Sequence, residues 1–245
     1  MNSKDERYFD YYTRFVSKYL RLLPKGSKVL EIGCGDGLAL SILAKKFRSL
    51  TFVGIDISNI FVSYAKKYRP SGNLRFQEED SMNLSFGVNT FDAVISTDVV
   101  EHIPNVPKWL EESRRVLKKK GILVVVTGNH FSPIQQLCDI FTLRSRPPFA
   151  NSYFYQFPLL AKNVYYSIIK HSRPEFIYVK PDLSTRADKG GDFDAVYLAH
   201  PFDIATYIQK KKMTILNVTF KGKSLASRII GRFPSLAGLG IVAQK

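Results

Sequence analysis

The chain has 245 residues, of which 45% are hydrophobic and 23% are charged. This length and composition fit one folded domain with an added segment, and they exclude a disordered chain. The formal net charge of +15 favours an acidic partner such as nucleic acid, anionic lipid or a phosphorylated substrate, although the basic residues are spread along the chain, as they also are on surfaces that serve only solubility.

Several features bear on the cellular compartment. The first ten residues, MNSKDERYFD, lack the basic and apolar stretches of a secretion signal. The longest strongly apolar run, 122–126, is far shorter than the roughly 20 residues that cross a bilayer. Cys34 and Cys138 lie far apart and form no metal or redox motif. The sequence therefore predicts a cytoplasmic protein without a transmembrane segment, and it leaves peripheral membrane contact open.

Helical and strand-like patterns alternate over the first half of the chain. A helix is predicted over 8–23, before Pro24 and Gly26, and a second helix should follow the strand KVLEIG at 28–33. Further strands are predicted near 51–57, 74–77, 91–96 and 121–127, with helices near 60–68 and 106–118. This alternation predicts a mostly parallel sheet with helices on both faces.

The alternation stops after Gly128. An insertion at about 131–199 is rich in Tyr and Phe interleaved with Lys and Arg, and we interpret it as a lid over a substrate. Pro201 should open a last helix to Lys212, and strands are predicted over 213–220 and 239–244. The predicted organisation is therefore an N-terminal helix at 1–27 and one domain at 28–245 that contains the insertion.

The strongest motif is VLEIGCGDG, residues 29–37, at the junction of the first strand and the helix after it. Glycines allow positive φ there and bring backbone N–H groups close to a ligand. The spacing is not the GxGxxG of dinucleotide-binding proteins, because Leu38 stands where the third glycine would be. The pattern E-x-G-x-G-x-G resembles motif I of the class I S-adenosylmethionine-dependent methyltransferases.

That resemblance implies a Rossmann-like, doubly wound α/β fold: a mostly parallel seven-stranded sheet whose last strand is antiparallel. It also implies S-adenosylmethionine as cofactor and S-adenosylhomocysteine as product. Residues matching the family's cofactor-binding positions lie in the glycine turn, at the ends of the second and fourth strands and after the third: Glu31, Gly33, Cys34, Gly35, Gly37, Asp56, Ile57, Asp80, Ser81, Met82, Thr97 and Asp98. From sequence alone, Asp56 or Ser58 could instead cap the next helix, and Asp80 could simply form a turn.

The segment FDAVISTDVVEHIP, 91–104, resembles motif IV, and its D-V-V-E-H run is similar to a run in ubiquinone-biosynthesis O-methyltransferases. In those relatives two carboxylates and a histidine have been linked to a divalent ion; the matching positions are Asp98, Glu101 and His102. Capping and loop hydrogen bonding are the favoured alternative, so no metal site is predicted. We predict His102 as general base, with His130 as its rival. His171 and His200 are interpreted as structural or surface residues.

The sequence thus predicts an S-adenosylmethionine-dependent methyltransferase that acts on an oxygen of a small-molecule or lipid-linked acceptor. RNA stays open as an acceptor, because aromatic and basic residues alternate in the insertion. Against RNA, no N-P-P-Y-type tetrad follows the fourth strand. A non-catalytic binding or scaffold protein of the same fold is the other alternative, since fold alone does not establish activity.

Overall fold

The computed structural model describes residues 3–128, 161, 174–180, 194–218 and 239–245. Its strands are β1 (Lys28–Ile32), β2 (Thr51–Asp56), β3 (Leu74–Glu78), β4 (Phe91–Thr97), β5 (Leu117–Thr127), β6 (Thr214–Asn217) and β7 (Leu239–Gln244). Its helices are α1 (Ser3–Leu20), α2 (Leu38–Lys46), α3 (Asn59–Tyr68), α4 (Val106–Val116) and α5 (Pro201–Lys210), with a 3₁₀ turn, η1, at Val100–His102.

The strands form one seven-stranded sheet in the order β3-β2-β1-β4-β5-β7-β6. β1 pairs in parallel with β2 and β4, and β2 pairs in parallel with β3. The end of β7 lies beside the start of β5, where the amide of Lys120 donates to the Lys245 carbonyl and the amide of Lys245 donates to the Gly121 carbonyl. The last strand is therefore antiparallel, and the predicted fold class is confirmed.

The order of the strands reverses between β1 and β4. Because parallel crossovers are right-handed, α2 and α3 lie on one face of the sheet and α4 lies on the other. Ligands of such sheets bind outside the carboxyl ends of the strands at this reversal. The turn after β1 and the residues after β2 and β4 lie at that edge.

The described chain divides into two compact units. The first consists of Met1–Thr97, Lys108–Val124 and Gln244–Lys245, and the second of Asp98–Pro107 and Val125–Ala243. The predicted boundary at residue 27 stays a prediction, and so does the insertion at 131–199, most of which lies outside the described residues.

Close packing in the first unit brings α2 onto the sheet. A Cβ at Gly54 of β2 would stand 2.8 Å from Leu40 of α2 and 2.8 Å from Phe76 of β3. Glycine is thus the residue that lets helix and strand approach at this point. The approach fixes the start of α2, and with it the glycine turn.

The second unit is held by pairing between segments that are distant in sequence. The Val179 amide donates to the Val196 carbonyl, and the Leu198 amide donates to the Ile177 carbonyl. Tyr197, between these pairs, is fully buried against the rings of Phe176 and Tyr178.

Several predicted boundaries differ from the structure: the first helix, predicted over 8–23, is Ser3–Leu20, and the last helix, predicted to reach 212, ends at Lys210. The fourth helix was expected to reach 118 and the fifth strand to begin at 121, but the helix ends at Val116 and β5 begins at Leu117. Leu117 is fully buried, and the ammonium of Lys118 lies 2.9 Å from both carboxylate oxygens of Asp92 on β4. The three consecutive lysines at 118–120 interrupt the alternation of apolar and polar residues by which a strand is recognised in a sequence. At the other end, β6 covers Thr214–Asn217 of the predicted 213–220.

Candidate functional site

The glycine turn after β1 is held in a left-handed conformation. The φ angles of Gly33, Gly35 and Gly37 are 73°, 50° and 74°. The amides of Gly33 and Cys34 donate to the carbonyl of Ile55, over 2.8 and 2.9 Å. The chain therefore turns sharply at the carboxyl end of β1 and enters α2 beside the end of β2.

The two later glycines meet different surroundings. A Cβ at Gly37 would stand 2.5 Å from Phe76 and 3.0 Å from the Ala65 Cβ, so this glycine is required by packing as well as by φ. A Cβ at Gly35 would have no neighbour within 4 Å. Gly35 borders open space at the edge where a ligand would lie.

Asp56, the last residue of β2, ties the glycine turn to the start of α3. Its Oδ2 accepts from the Gly35 amide and its Oδ1 from the Ser58 amide, each over 2.9 Å. Ser58 is the N-cap of α3, because its hydroxyl accepts from the Phe61 amide. Of the two predicted caps, then, Ser58 has that role. Each carboxylate oxygen of Asp56 retains a second lone pair for a ribose hydroxyl, and the next residue, Ile57, is largely exposed.

Glu31 of β1 is a buried acid with one unsatisfied oxygen. Its Oε1 accepts from the Tyr12 hydroxyl of α1 over 2.8 Å, whereas its Oε2 is buried and has no hydrogen-bond partner among the described residues. Burial raises the pKa of Glu31 to about 8; the Tyr12 hydrogen bond lowers it in part, and the Asp56 charge raises it. A buried carboxylate oxygen of this kind fits the ammonium group of a methionyl moiety.

Cys34 contributes backbone rather than thiol chemistry. Burial, together with the charges of Glu31 and Asp56, raises the pKa of its thiol. The thiol is therefore protonated at neutral pH and is a poor nucleophile.

The segment predicted to face the adenine forms a tight turn after β3. Asp80 Oδ1 accepts from the Met82 amide, and the Asp80 carbonyl accepts from the Asn83 amide, each over 2.9 Å. Asp80 is exposed, while Ser81 and Met82 are half-buried. The turn expected from sequence is present, and the role in adenine binding stays a prediction.

Thr97 ends β4, and Asp98 follows it at the start of the second unit. Thr97 is half-buried, whereas Asp98 is exposed and has a φ of 48°. A non-glycine residue in this region is strained and is often found at functional sites. The conformation is fixed in part by the Asp98 amide, which donates to the Val126 carbonyl over 2.8 Å.

His102 lies in η1 within the second unit. Its Nδ1 is 3.5 Å from Oδ1 of Asp194. The preceding residue, Glu101, is buried, and its carbonyl accepts from the amides of Val196 and Tyr197 over 2.8 and 2.9 Å. These contacts fix the backbone next to His102. The rival base, His130, lies outside the described residues, as does His171.

The structure also bears on a metal site and on the role of His200. Among the residues that the structure describes, no group of three His, Cys, Asp or Glu side chains is placed to hold a metal ion, and Asp98, Glu101 and His102 form no such group. His200 is buried beside Asp203 at 3.9 Å, in agreement with a structural role.

A cavity of about 530 Å³ lies at the amino ends of β1 to β4, the edge opposite to the glycine turn, and Lys28, Arg48 and Arg75 are among its lining residues.

Sequence reasoning missed the contact between Tyr12 and Glu31. From sequence, Tyr12 belongs with Tyr8 and Tyr11 to a helix that could fold over the cofactor or pack on the sheet, and nothing local distinguishes the three tyrosines. Its pKa is raised by burial and by the Glu31 charge, so the phenol remains a donor to that carboxylate. Only the packing of α1 in the first unit reveals the pair.

Comparison with known proteins agrees with this geometry. Residues 30–125 match a protein-family model described as "Methyltransferase domain". A fatty-acid O-methyltransferase of Mycolicibacterium smegmatis is 33% identical over 97 residues, 40% of this chain and 35% of the relative. A 2-methyl-6-phytyl-1,4-hydroquinone methyltransferase of Synechocystis is 39% identical over 111 residues, 45% of this chain and 35% of that protein.

A ubiquinone-biosynthesis O-methyltransferase of Pelagibacter ubique is 31% identical over 106 residues, 43% of each chain. The chain therefore spans less than half the length of these relatives. Among solved structures, a protein of Methanosarcina mazei described as a SAM-dependent methyltransferase superposes with a TM-score of 0.59 at 20% identity, covering 93% of this chain and 96% of that one. Together with the turn at 29–37, these findings show that residues 30–125 resemble a methyltransferase domain of the class I type, the type that uses S-adenosylmethionine.

Proposed function

We propose that the protein transfers a methyl group from S-adenosylmethionine to an oxygen atom of a small-molecule or lipid-linked acceptor. The observation that carries this proposal is the buried Oε2 of Glu31, which lacks a hydrogen-bond partner among the described residues and lies in the strand that leads into the glycine turn. Burial makes ionisation of this acid costly in the free protein, and a cationic ligand would offset that cost.

The described residues fit the three parts of the cofactor in order. Glu31, with the turn of Gly33, Gly35 and Gly37, would hold the methionyl end, and Asp56 would accept from the ribose. Ile57, Asp80, Ser81 and Met82 would border the adenine, and Thr97 and Asp98 would lie nearest the methyl group. Bound cofactor supplies an electrophilic methyl group on a sulfonium.

His102 would take the proton of the acceptor hydroxyl as its oxygen attacks. The carboxylate of Asp194, 3.5 Å from Nδ1, would stabilise the positive charge that the ring gains with this proton. The new bond joins acceptor oxygen and methyl carbon, the bond from carbon to sulfur breaks with its electron pair on sulfur, and S-adenosylhomocysteine leaves. Positioning and exclusion of water supply the rest of the catalysis.

The acceptor class is supported by the relatives, whose names specify a fatty acid, a phytyl hydroquinone and a ubiquinone precursor pathway. The segment shared with these relatives contains the residues that we assign to the cofactor, so the acceptor must be tested directly. The aromatic insertion at 131–199 is the part of the sequence that we assign to it.

Calorimetric titration with S-adenosylhomocysteine is the first test, since it needs no acceptor. Binding in the micromolar range, roughly −8 kcal/mol, is expected. Glu31→Gln should abolish it, whereas Asp92→Asn, which changes an acid at the amino end of β4, should leave it intact. Absence of binding to the wild-type protein at millimolar ligand would overturn the proposal.

Transfer of a labelled methyl group would then be measured to fatty acids, hydroquinones with prenyl chains, and RNA. Label on an oxygen of a lipid-like acceptor supports the proposal. Label on RNA alone would mean that the acceptor is RNA and not a lipid-like molecule. Tight cofactor binding without transfer to any of the three pools would favour a non-catalytic scaffold protein.

A further inference from the structure

Helix α3 carries an exposed apolar stripe. Ile60, Phe61, Tyr64 and Tyr68 have 80%, 50%, 44% and 51% of their surface exposed. Their spacing of three and four residues places them on one side of the helix, whereas Val62 and Ala65 are the residues that it buries. Single exposed apolar residues are ordinary, but a contiguous set of four marks a contact surface.

Basic residues surround the end of this stripe. Between Ile57 and Arg69 the chain contains Lys66, Lys67 and Arg69 and no acidic residue, although the guanidinium of Arg69 pairs with the carboxylate of Asp36 at 3.2 Å. α2 and α3 both run against the parallel strands, so Lys45 and Lys46 in the last turn of α2 lie at the same sheet edge as Lys66 and Lys67. The cavity at that edge adds the exposed side chains of Lys28, Arg48 and Arg75.

We infer that the stripe of α3 and the basic edge beside it form a docking surface for an anionic lipid bilayer. An amphipathic helix can lie in the plane of the membrane interface with its apolar residues in the headgroup region, where tyrosine is favoured. Lysines near the surface add electrostatic attraction to anionic lipids. The inference goes beyond the proposed function: it concerns attachment of the protein to a membrane, with the basic residues at the edge of the sheet opposite to the glycine turn.

The geometry of the two tyrosines favours lipid over single-stranded RNA. RNA-binding aromatic residues offer an open ring face on which a base stacks. Here the ammonium of Lys67 lies 5.0 Å from the centre of the Tyr68 ring, and the guanidinium of Arg69 lies 5.7 Å from that of Tyr64. The two rings also contact each other, with centroids 4.5 Å apart. Each ring therefore already has a cation and the other ring as neighbours, which leaves less of its faces free for a stacked base.

The test is flotation of the full chain with vesicles of phosphatidylcholine alone or with added phosphatidylglycerol, without cofactor or acceptor. Binding is expected only with phosphatidylglycerol, and it should weaken as salt is raised. The double variant I60S/F61S should bind at least about tenfold more weakly, because two large side chains leave the interface. Lys45→Gln and Lys66→Gln should each cost about fivefold.

The matched control is L22S/V88S, which removes two exposed apolar residues elsewhere in the first unit, and it should bind vesicles like the wild-type protein. S-adenosylhomocysteine affinity is measured on every variant, so that misfolding and failure of the proposed function are read separately from failure of docking.

Three results would overturn the inference. The first is no binding of the wild-type protein to anionic vesicles, and the second is equal binding by I60S/F61S. The third is a stripe-dependent interaction with another occupant: a dimer in light scattering that dissociates in I60S/F61S, or an oligouridylate complex that the same variant loses.

Discussion

The two compact units hold their candidate site residues in different ways. In the first unit, Asp56 bonds the amides of Gly35 and Ser58, so the end of one strand organises the turns that follow it and its neighbour. In the second unit, the backbone beside His102 is held by Val196 and Tyr197, from a segment far along the chain. The candidate cofactor residues are thus held by local contacts, whereas the backbone beside the candidate base is held by residues about 95 positions later in the chain.

The largest effect on catalysis is expected at His102, the proposed general base. Replacing His102 with alanine should lower kcat by about a hundredfold or more, because a general base contributes on that scale. The affinity for S-adenosylhomocysteine should be unchanged, since the residues that we propose for the cofactor belong largely to the first unit. Steady-state kinetics with the acceptor found above, together with calorimetry, measure the two quantities.

Asp194→Asn is the companion variant. It keeps the size of the side chain near His102 Nδ1 but removes its charge, so kcat should fall by a smaller factor. Full activity in His102→Ala would contradict the assignment and leave His130 or no base.

The contrast between the units also explains what the sequence could predict. The first strands, the glycine turn and the mostly parallel sheet were predictable, because βα alternation repeats and because the glycines of motif I stand where a turn requires positive φ. The partners of Glu101 and His102 were not, since they come from residues 194–197, within a region without local periodicity. The hydrogen bond from Tyr12 to Glu31 was also missed, because no local sequence pattern predicts a buried contact between α1 and β1.

The next effect is a loss of stability in the glycine turn, and it should differ between Gly37 and Gly35. Gly37→Ala should reduce the free energy of unfolding by about 2–4 kcal/mol, through a strained φ and overlap with Phe76. Gly35→Ala has the strained φ but free space, so it should cost about 1–2 kcal/mol. Urea denaturation measures both.

Cofactor affinity should respond differently at these two glycines. The methyl group at Gly35 would enter the edge proposed for the ligand, so S-adenosylhomocysteine binding should weaken although the fold is largely kept. Equal losses of stability in the two variants would contradict the packing role of Gly37.

A smaller effect is expected at Asp56. Asp56→Ala should weaken binding of S-adenosylhomocysteine by about tenfold, since charge-assisted hydrogen bonds to the ribose are lost. Asp92→Ala is the control, because Asp92 also accepts from a backbone amide, that of Lys28, but lies at the amino end of the strands. Calorimetry on both should show loss of affinity only in the first; unchanged affinity in Asp56→Ala would remove the ribose assignment.

The smallest effect is the pH dependence that the buried acid imposes. The folded pKa of Glu31, about 8, lies above the ordinary value of 4.5, so the protonated form stabilises the free protein. That contribution is complete below pH 4.5 and is lost as the pH rises through 8. The titratable groups that influence Glu31 or respond to it are Tyr12, Asp56 and Cys34.

Binding of a cationic amino group requires ionised Glu31, so S-adenosylhomocysteine should release roughly one proton at pH 7 and bind more tightly as the pH rises from 6 to 8. Calorimetry in buffers of different ionisation enthalpy measures the release. In Tyr12→Phe the pKa of Glu31 should rise further, because a hydrogen bond to the carboxylate is lost, and affinity at pH 7 should fall severalfold. Proton release near zero in the wild-type protein would show that the ammonium pairs elsewhere, and the cofactor pose, though not the fold, would then need revision.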